Sequence, residues 1–144
     1  MKALILNSSM TSLGGVFYPT GHVFALLPDE DCVRQAVAAL EAAGFKGDIA
    51  YATAEAVLQD IVRTLGNADY PLPSVGAEGD IVRRIAALAT RGYSGLLVQV
   101  HDHNAIETLA KVMREHQAAA AFHYRTFVIE ELIDPPEVDA GSPQ

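Results

Sequence analysis

Histidine and arginine carry most of the chemistry this sequence could do. His22 opens an apolar run, HVFALL, and His101 and His103 flank Asp102 where a second run, SGLLVQV, ends. His116 and His123 follow. His101 and His103 alone supply two imidazole donors, fewer than a zinc site needs. A third has to arrive through the fold. If the two apolar runs lie side by side as antiparallel strands with Ala25 opposite Val98, His22 faces His101 and Phe24 faces Gln99. A later strand through His123 would end at the same edge. His22, His101 and His123 are therefore the candidate metal-binding or acid–base cluster, with three imidazoles suited to zinc or another transition metal.

The remaining polar groups have plainer roles. Asp102 reads as a helix-start acid, as Asp29 does in PDED, which leaves His103 in a solvated first turn. Asn104 and Glu107 have the spacing of a capping box. His116 sits in a last helical turn, where positive charge suits the helix dipole. Cys32 lies near a helix N-terminus that would lower its pKa, but Asp29, Glu30 and Asp31 oppose that. Gly79 and Asp80 with Arg83 and Arg84 put glycine and positive charge near a helix start, a candidate anion site that Glu78 and Asp80 work against. Arg125, on an alternating strand, could meet a ligand carboxylate or a neighbouring acid. Arg83, Arg84 and Arg125 are the candidate ligand-binding residues. No nucleophile elbow, phosphate loop or dinucleotide glycine fingerprint occurs, so no catalytic residue and no cofactor is assigned.

These residues need elements to hold them. Residues 1–20 have no clear period and read as an N-terminal arm. MKALIL could be a strand, but Ser12-Leu13-Gly14-Gly15 lacks the helix a flavin phosphate loop would need. His22–Leu27 is a short apolar strand. Val33, Ala36, Val37 and Leu40 then recur at helical spacing, ended by Gly44. Asp48–Ala52 is a second strand. Residues 54–92 read as two helices, the first capped by Thr53 and the second carrying Ile81, Ile85, Leu88 and Ala89 inward, around a loop over Asn67–Gly79 that holds Pro71 and Pro73. The first pattern then returns: Ser94–Val100 as a strand, Asp102–Gln117 as a helix with Ile106, Leu109, Ala110 and Met113 inward, and 118–129 as an extended stretch. Shifting the first unit by 73 positions lays Asp29 on Asp102, Val33 on Ile106, Ala36 on Leu109 and Leu40 on Met113. Residues 134–144, with Pro135-Pro136 and Gly141-Ser142-Pro143, read as a disordered tail.

Two βαβ units with helices between them predict an α+β, ferredoxin-like split βαβ duplication. Its antiparallel sheet has four strands, and a two-helix insertion separates strands 2 and 3. The single domain spans 21–133. One sheet face would carry the two repeated helices. The other, with Phe24, Leu26 and Leu97, needs cover from the insertion, the arm or a second subunit, which makes a homodimer the expected state. With 144 residues, half of them apolar, the chain can bury a core. A formal charge of −8 without a basic stripe argues against nucleic-acid binding. No apolar run is long enough to span a membrane, the opening residues are too short for a secretory leader, and one cysteine fits a reducing, cytoplasmic setting.

Two segments also carry a likeness. PTGHVFALLPDEDCVRQAVAALEAAGF resembles the opening of small bacterial general-stress (heat-induced) proteins, where a strand and a short acidic turn lead into a helix ending in AGF. ATRGYSGLLVQVHDHNAIETLAKVMREHQA resembles their second half. The resemblance covers roughly residues 19–132. It implies a ferredoxin-like domain and a stress-related or regulatory role, and it transfers no catalytic residue. The function expected is therefore non-enzymatic binding of a small ligand or a protein partner. A metal-binding protein or an enzyme built on the histidine cluster is the alternative.

Overall fold

Aspartate starts both amphipathic helices in the computed structural model, which describes residues 2–6, 10–11, 16–67, 75–126 and 128–133. Helix α1 spans Glu30–Ala42, and Asp29 accepts the amide of Cys32 at 2.9 Å. Helix α4 spans His103–Glu115, and Asp102 accepts the amide of Ala105 at 2.8 Å. Each cap satisfies an amide that the first turn leaves without an intrahelical partner. The two helices have the same length and the same 73-residue offset predicted for their caps. Their ends match too. Gly44 (φ 79°) and Gln117 (φ 70°) both take the left-handed conformation that closes a helix, and the next amides, Phe45 and Ala118, each return to a carbonyl five residues back at 3.0 Å.

The architecture is α+β: among the described residues, a six-stranded mixed sheet with helices on both faces. The strands are β1 (Lys2–Ala3), β2 (His22–Leu27), β3 (Ile49–Ala52), β4 (Ser94–Gln99), β5 (Ala120–Tyr124) and β6 (Ile129–Glu131). Their order is β1-β3-β4-β2-β5-β6. The inner four neighbours are all antiparallel, whereas β1 runs parallel to β3. Two edge strands therefore extend the expected four. The described parts of 1–20 are built into the fold: Lys2 and Ala3 pair with Ala50 and Tyr51, and Val16 and Phe17 are fully buried. The stretch expected to be extended over 118–129 is two strands. Arg125 donates its amide to the Val128 carbonyl at 2.8 Å, which turns the chain back so that β6 pairs with β5. The tail called at 134–144 lies outside the described residues.

One sheet face packs on α1 and α4. Val23, Ala25 and Leu27 of β2, Leu96 and Val98 of β4 and Ala121 of β5 meet Val33, Ala36, Leu40, Leu109 and Met113 there. Alternation puts Phe24, Leu26, Leu97, Phe122 and Tyr124 on the opposite face. The insertion covers that face. It begins as α2 (Ala54–Ala56), capped by Thr53, widens to a π turn over Val57–Ile61, tightens to a 3-10 helix over Val62–Asn67, and returns as α3 (Val75–Thr90). Val57, Ile61, Val82, Ile85 and Ala89 are its buried side chains. Gly95 leaves room for the Phe24 ring and the insertion, since a Cβ there would lie 2.5 Å from Phe24 Cζ and 3.1 Å from Val57 Cγ2. Residues 16–18 complete the cover. The Phe17 amide donates to Thr64 Oγ1 at 3.0 Å, and the Phe17 ring stands edge-on to Phe24 and Tyr124, with centroids 5.3 and 5.7 Å away. Of the three covers expected for this apolar face, the insertion and the N-terminal segment supply it.

Candidate functional site

The strand register disperses the expected histidine cluster. His22 pairs with Gln99 and Ala25 with Leu96, two residues away from the expected alignment, so His22 does not face His101. On the other side His22 pairs with Tyr124, while His123 pairs with Val23. Neighbouring positions along a strand point to opposite faces. His22 therefore shares a face with Phe24, and His123 shares one with Val23 and Ala121. His22 Nδ1 lies 3.0 Å from the Thr20 carbonyl. Among the described residues, no group of three or more His, Cys, Asp or Glu side chains is placed to hold a metal ion.

Two of the three histidines do border one groove, in a different company. An open groove of about 940 Å³ runs between α4 and the β5–β6 hairpin, and His101, His103 and His123 all line it. Helix α4 contributes His103, Ile106, Glu107, Ala110, Lys111 and Arg114, a stripe at three- and four-residue spacing. Opposite stand Arg125, Glu130 and Leu132, with Val100 at one end. The opposing wall is tied down from the far side of the sheet. Tyr18 donates its hydroxyl to the Arg125 carbonyl at 2.6 Å, and Leu132 donates its amide to the Ala121 carbonyl at 2.8 Å. Ile106 and Ala110 of this stripe were expected to face inward with Leu109 and Met113, and here they also line the groove. The groove was not legible in the sequence, because nothing in HYRTFVI signals the turn that creates its second wall.

His123 is the buried polar group of this site, 9% exposed. Its Nδ1 lies 3.0 Å from Glu130 Oε1, its cross-strand neighbour, and Arg125 Nη1 stands 3.7 Å from the other carboxylate oxygen. A carboxylate on Nδ1 fixes the ring so that Nδ1 carries its proton. Nε2 has no hydrogen-bond partner among the described residues, and the side chain keeps 11% of its surface exposed. His101 and His103 are exposed, and His103 Nε2 is 3.1 Å from Glu107.

Of the three arginines expected to bind a ligand, only Arg125 lines the groove. Helix α3 begins at Val75 rather than near Asp80, so Arg83 and Arg84 lie two turns inside it and not at its anion-attracting end. Arg83 pairs with Asp80 at 2.6 Å. Arg84 pairs with Glu131 at 3.0 Å and lies over the Phe122 ring, 5.1 Å from its centroid. Both are engaged by neighbouring carboxylates. Burial pushes the Cys32 thiol up from its ordinary value, and the Asp29 carboxylate pushes it further. That makes it a poor nucleophile. His116 Nδ1 lies 2.9 Å from the Val112 carbonyl, which fits its expected place at the helix end.

No protein-family model matches the chain, and no curated protein or solved structure matches it either. Among the described residues, no helix is long and apolar enough to cross a membrane.

Proposed function

We propose that this chain is a non-enzymatic regulatory domain that binds a small ligand in the groove between α4 and the β5–β6 hairpin. The observation that carries the reading is the composition of that groove. Val100, Ile106, Ala110 and Leu132 give it apolar wall, and a few charged groups converge on it. Ligand sites combine these two features. We assign the inner four strands and α1 and α4 to a ferredoxin-like plan, supported by the order β3-β4-β2-β5 and by the matched helices. The likeness of the two repeated segments to general-stress proteins adds a stress-related setting. A second copy as partner stays part of the proposal, although the sheet faces do not require one.

A metabolite panel screened by thermal shift tests the reading. A ligand present at 100 times its Kd stabilises the folded state by about 2.7 kcal/mol. An Ala110→Phe variant, which fills the groove, should lose that stabilisation. Hits that survive in Ala110→Phe, or no hit at all, would contradict the proposal.

One observation favours a second reading, acid–base catalysis. His123 has a carboxylate on one ring nitrogen and no partner among the described residues on the other, the arrangement of a general base. Turnover of a compound that binds the groove, abolished in His123→Gln, would favour it over binding alone.

A further inference from the structure

We propose that the groove is a pH-gated anion site, taking a small amphipathic molecule that ends in a carboxylate or phosphate and taking up a proton with it at His123. The inference rests on the groove being the ligand site, and charge counting carries it. Four carboxylates line the groove, and each is engaged. Asp102 caps α4, Glu107 meets His103, Glu130 meets His123 and Arg125, and Glu131 meets Arg84 from the other face of the sheet. Lys111 and Arg114 form no ion pair among the described residues. With Arg125 they make three cations against the three carboxylates of the groove side, since Glu131 is neutralised by Arg84 on the other face. The site is therefore balanced while His101, His103 and His123 are neutral. Histidine changes charge between about pH 5 and 8, where carboxylates stay ionised. In a chain of net charge −8, protonation of these rings turns this one patch positive.

His123 couples the two events most tightly. With Glu130 holding a proton on Nδ1, the second proton can only enter at Nε2, the nitrogen without a hydrogen-bond partner among the described residues. The imidazolium then donates to Glu130 on one side and presents a charged N–H on the other. A ligand anion beside it favours the protonated ring, and by reciprocity the protonated ring favours the anion. The other charged groups around the ring act on it from α4 (His103, Glu107, Lys111, Arg114), from the loop before α4 (His101, Asp102), and from the hairpin (Arg125, Glu130, Glu131). The apolar wall of Ile106, Ala110 and Leu132 selects an anion with a hydrocarbon body over a bare ion.

Benzoate tests this, because its own charge is constant above about pH 5.5. Benzyl alcohol is the neutral control, and phenyl phosphate compares the phosphate head. Binding to the full chain is followed by NMR, and proton uptake by calorimetry in two buffers of different ionisation heat. Benzoate should bind at least about ten-fold tighter at pH 5.5 than at pH 8.0, with net proton uptake. Lys111→Ala/Arg114→Ala should weaken it at both pH values, and His123→Gln should abolish most of the uptake. Should His123→Gln fail to fold, Glu130→Gln serves instead: it removes the charge that favours the imidazolium, so the pH at which binding falls should move down. Equal affinity at both pH values, absence of uptake, or uptake unchanged in the folded variant overturns the proposal. Benzyl alcohol binding the groove while benzoate does not would overturn the anion site and leave the groove reading standing. No binding by any of the three compounds at either pH overturns both.

Discussion

The two βα units of this chain are built alike and used differently. In the first, β2 leads through Asp29 into α1 and then β3; in the second, β4 leads through Asp102 into α4 and then β5. The pairing of Leu96 with Tyr51, and of Val23 with His123, makes Tyr51 the counterpart of His123. Tyr51 reaches across to α1 and donates its hydroxyl to Glu30 at 2.9 Å, closing the space between helix and strand. His123 turns the other way, to Glu130 on the edge strand. The helix positions diverge in the same sense. Val37, Ala38 and Glu41 of α1 correspond to Ala110, Lys111 and Arg114 of α4. The first unit thus has a larger side chain and an acid where the second has a smaller one and two cations. What remains beside Glu41, Phe45 and Ile49 in the first unit is a depression of about 310 Å³, a third of the groove in the second. One scaffold has a closed copy and an open copy, and the open copy holds four of the chain's five histidines, three of which line the groove.

If the units share one structural logic, matched core truncations should cost alike. Leu40 and Met113 occupy equivalent buried positions. Leu40→Ala and Met113→Ala should each destabilise by about 2–5 kcal/mol in urea unfolding. A large cost for one and almost none for the other would break the comparison.

The caps give a smaller effect. Asp102→Ala should cost about 1 kcal/mol. In the first unit, the amide of Cys32 holds the Asp29 carboxyl below its ordinary value. A carboxylate depressed in the folded state contributes stability that is present above its unfolded pKa and lost as pH falls through the folded one. Thermal melts between about pH 5 and 2 should therefore show an acid loss that Asp29→Asn reduces. An unchanged acid limb would contradict the cap's contribution.

The helix ends give the smallest. Gly44 suits the left-handed conformation, whereas Gln117 is strained in it. Gln117→Gly should stabilise by roughly 0.5–1 kcal/mol and Gly44→Ala should destabilise by about as much, both read from denaturant midpoints. Destabilisation by Gln117→Gly would mean that the glutamine side chain contributes more than its backbone costs.

Much of this scaffold was legible. Capping acids, apolar spacing and the 73-residue offset located α1 and α4 because each depends on local chemistry alone. The register was not. Alternation forbids a slip of one residue, which would reverse the faces, but a slip of two keeps every apolar side chain inside. Ala25 therefore pairs with Leu96 instead of Val98, and His22 loses His101. The start of α3 was missed because glycine reads as a helix breaker, yet Gly79 is buried within the helix, where packing of Val82 and Ile85 outweighs its propensity cost of about 1 kcal/mol. The groove escaped for a third reason. Its second wall depends on a hairpin turn at Arg125–Val128 without a turn signature, and its emptiness on a pair of substitutions, Ala110 for Val37 and His123 for Tyr51, that only the folded pairing brings into comparison.

The central claim is that the second unit binds and the first does not. The most direct measurement is a residue-resolved NMR titration of the full chain with benzoate at pH 5.5. The account predicts shifts at Ile106, Ala110, Lys111 and His123, with their counterparts Val33, Val37, Ala38 and Tyr51 unmoved. Equal shifts in both units, or shifts confined to the first, would contradict it.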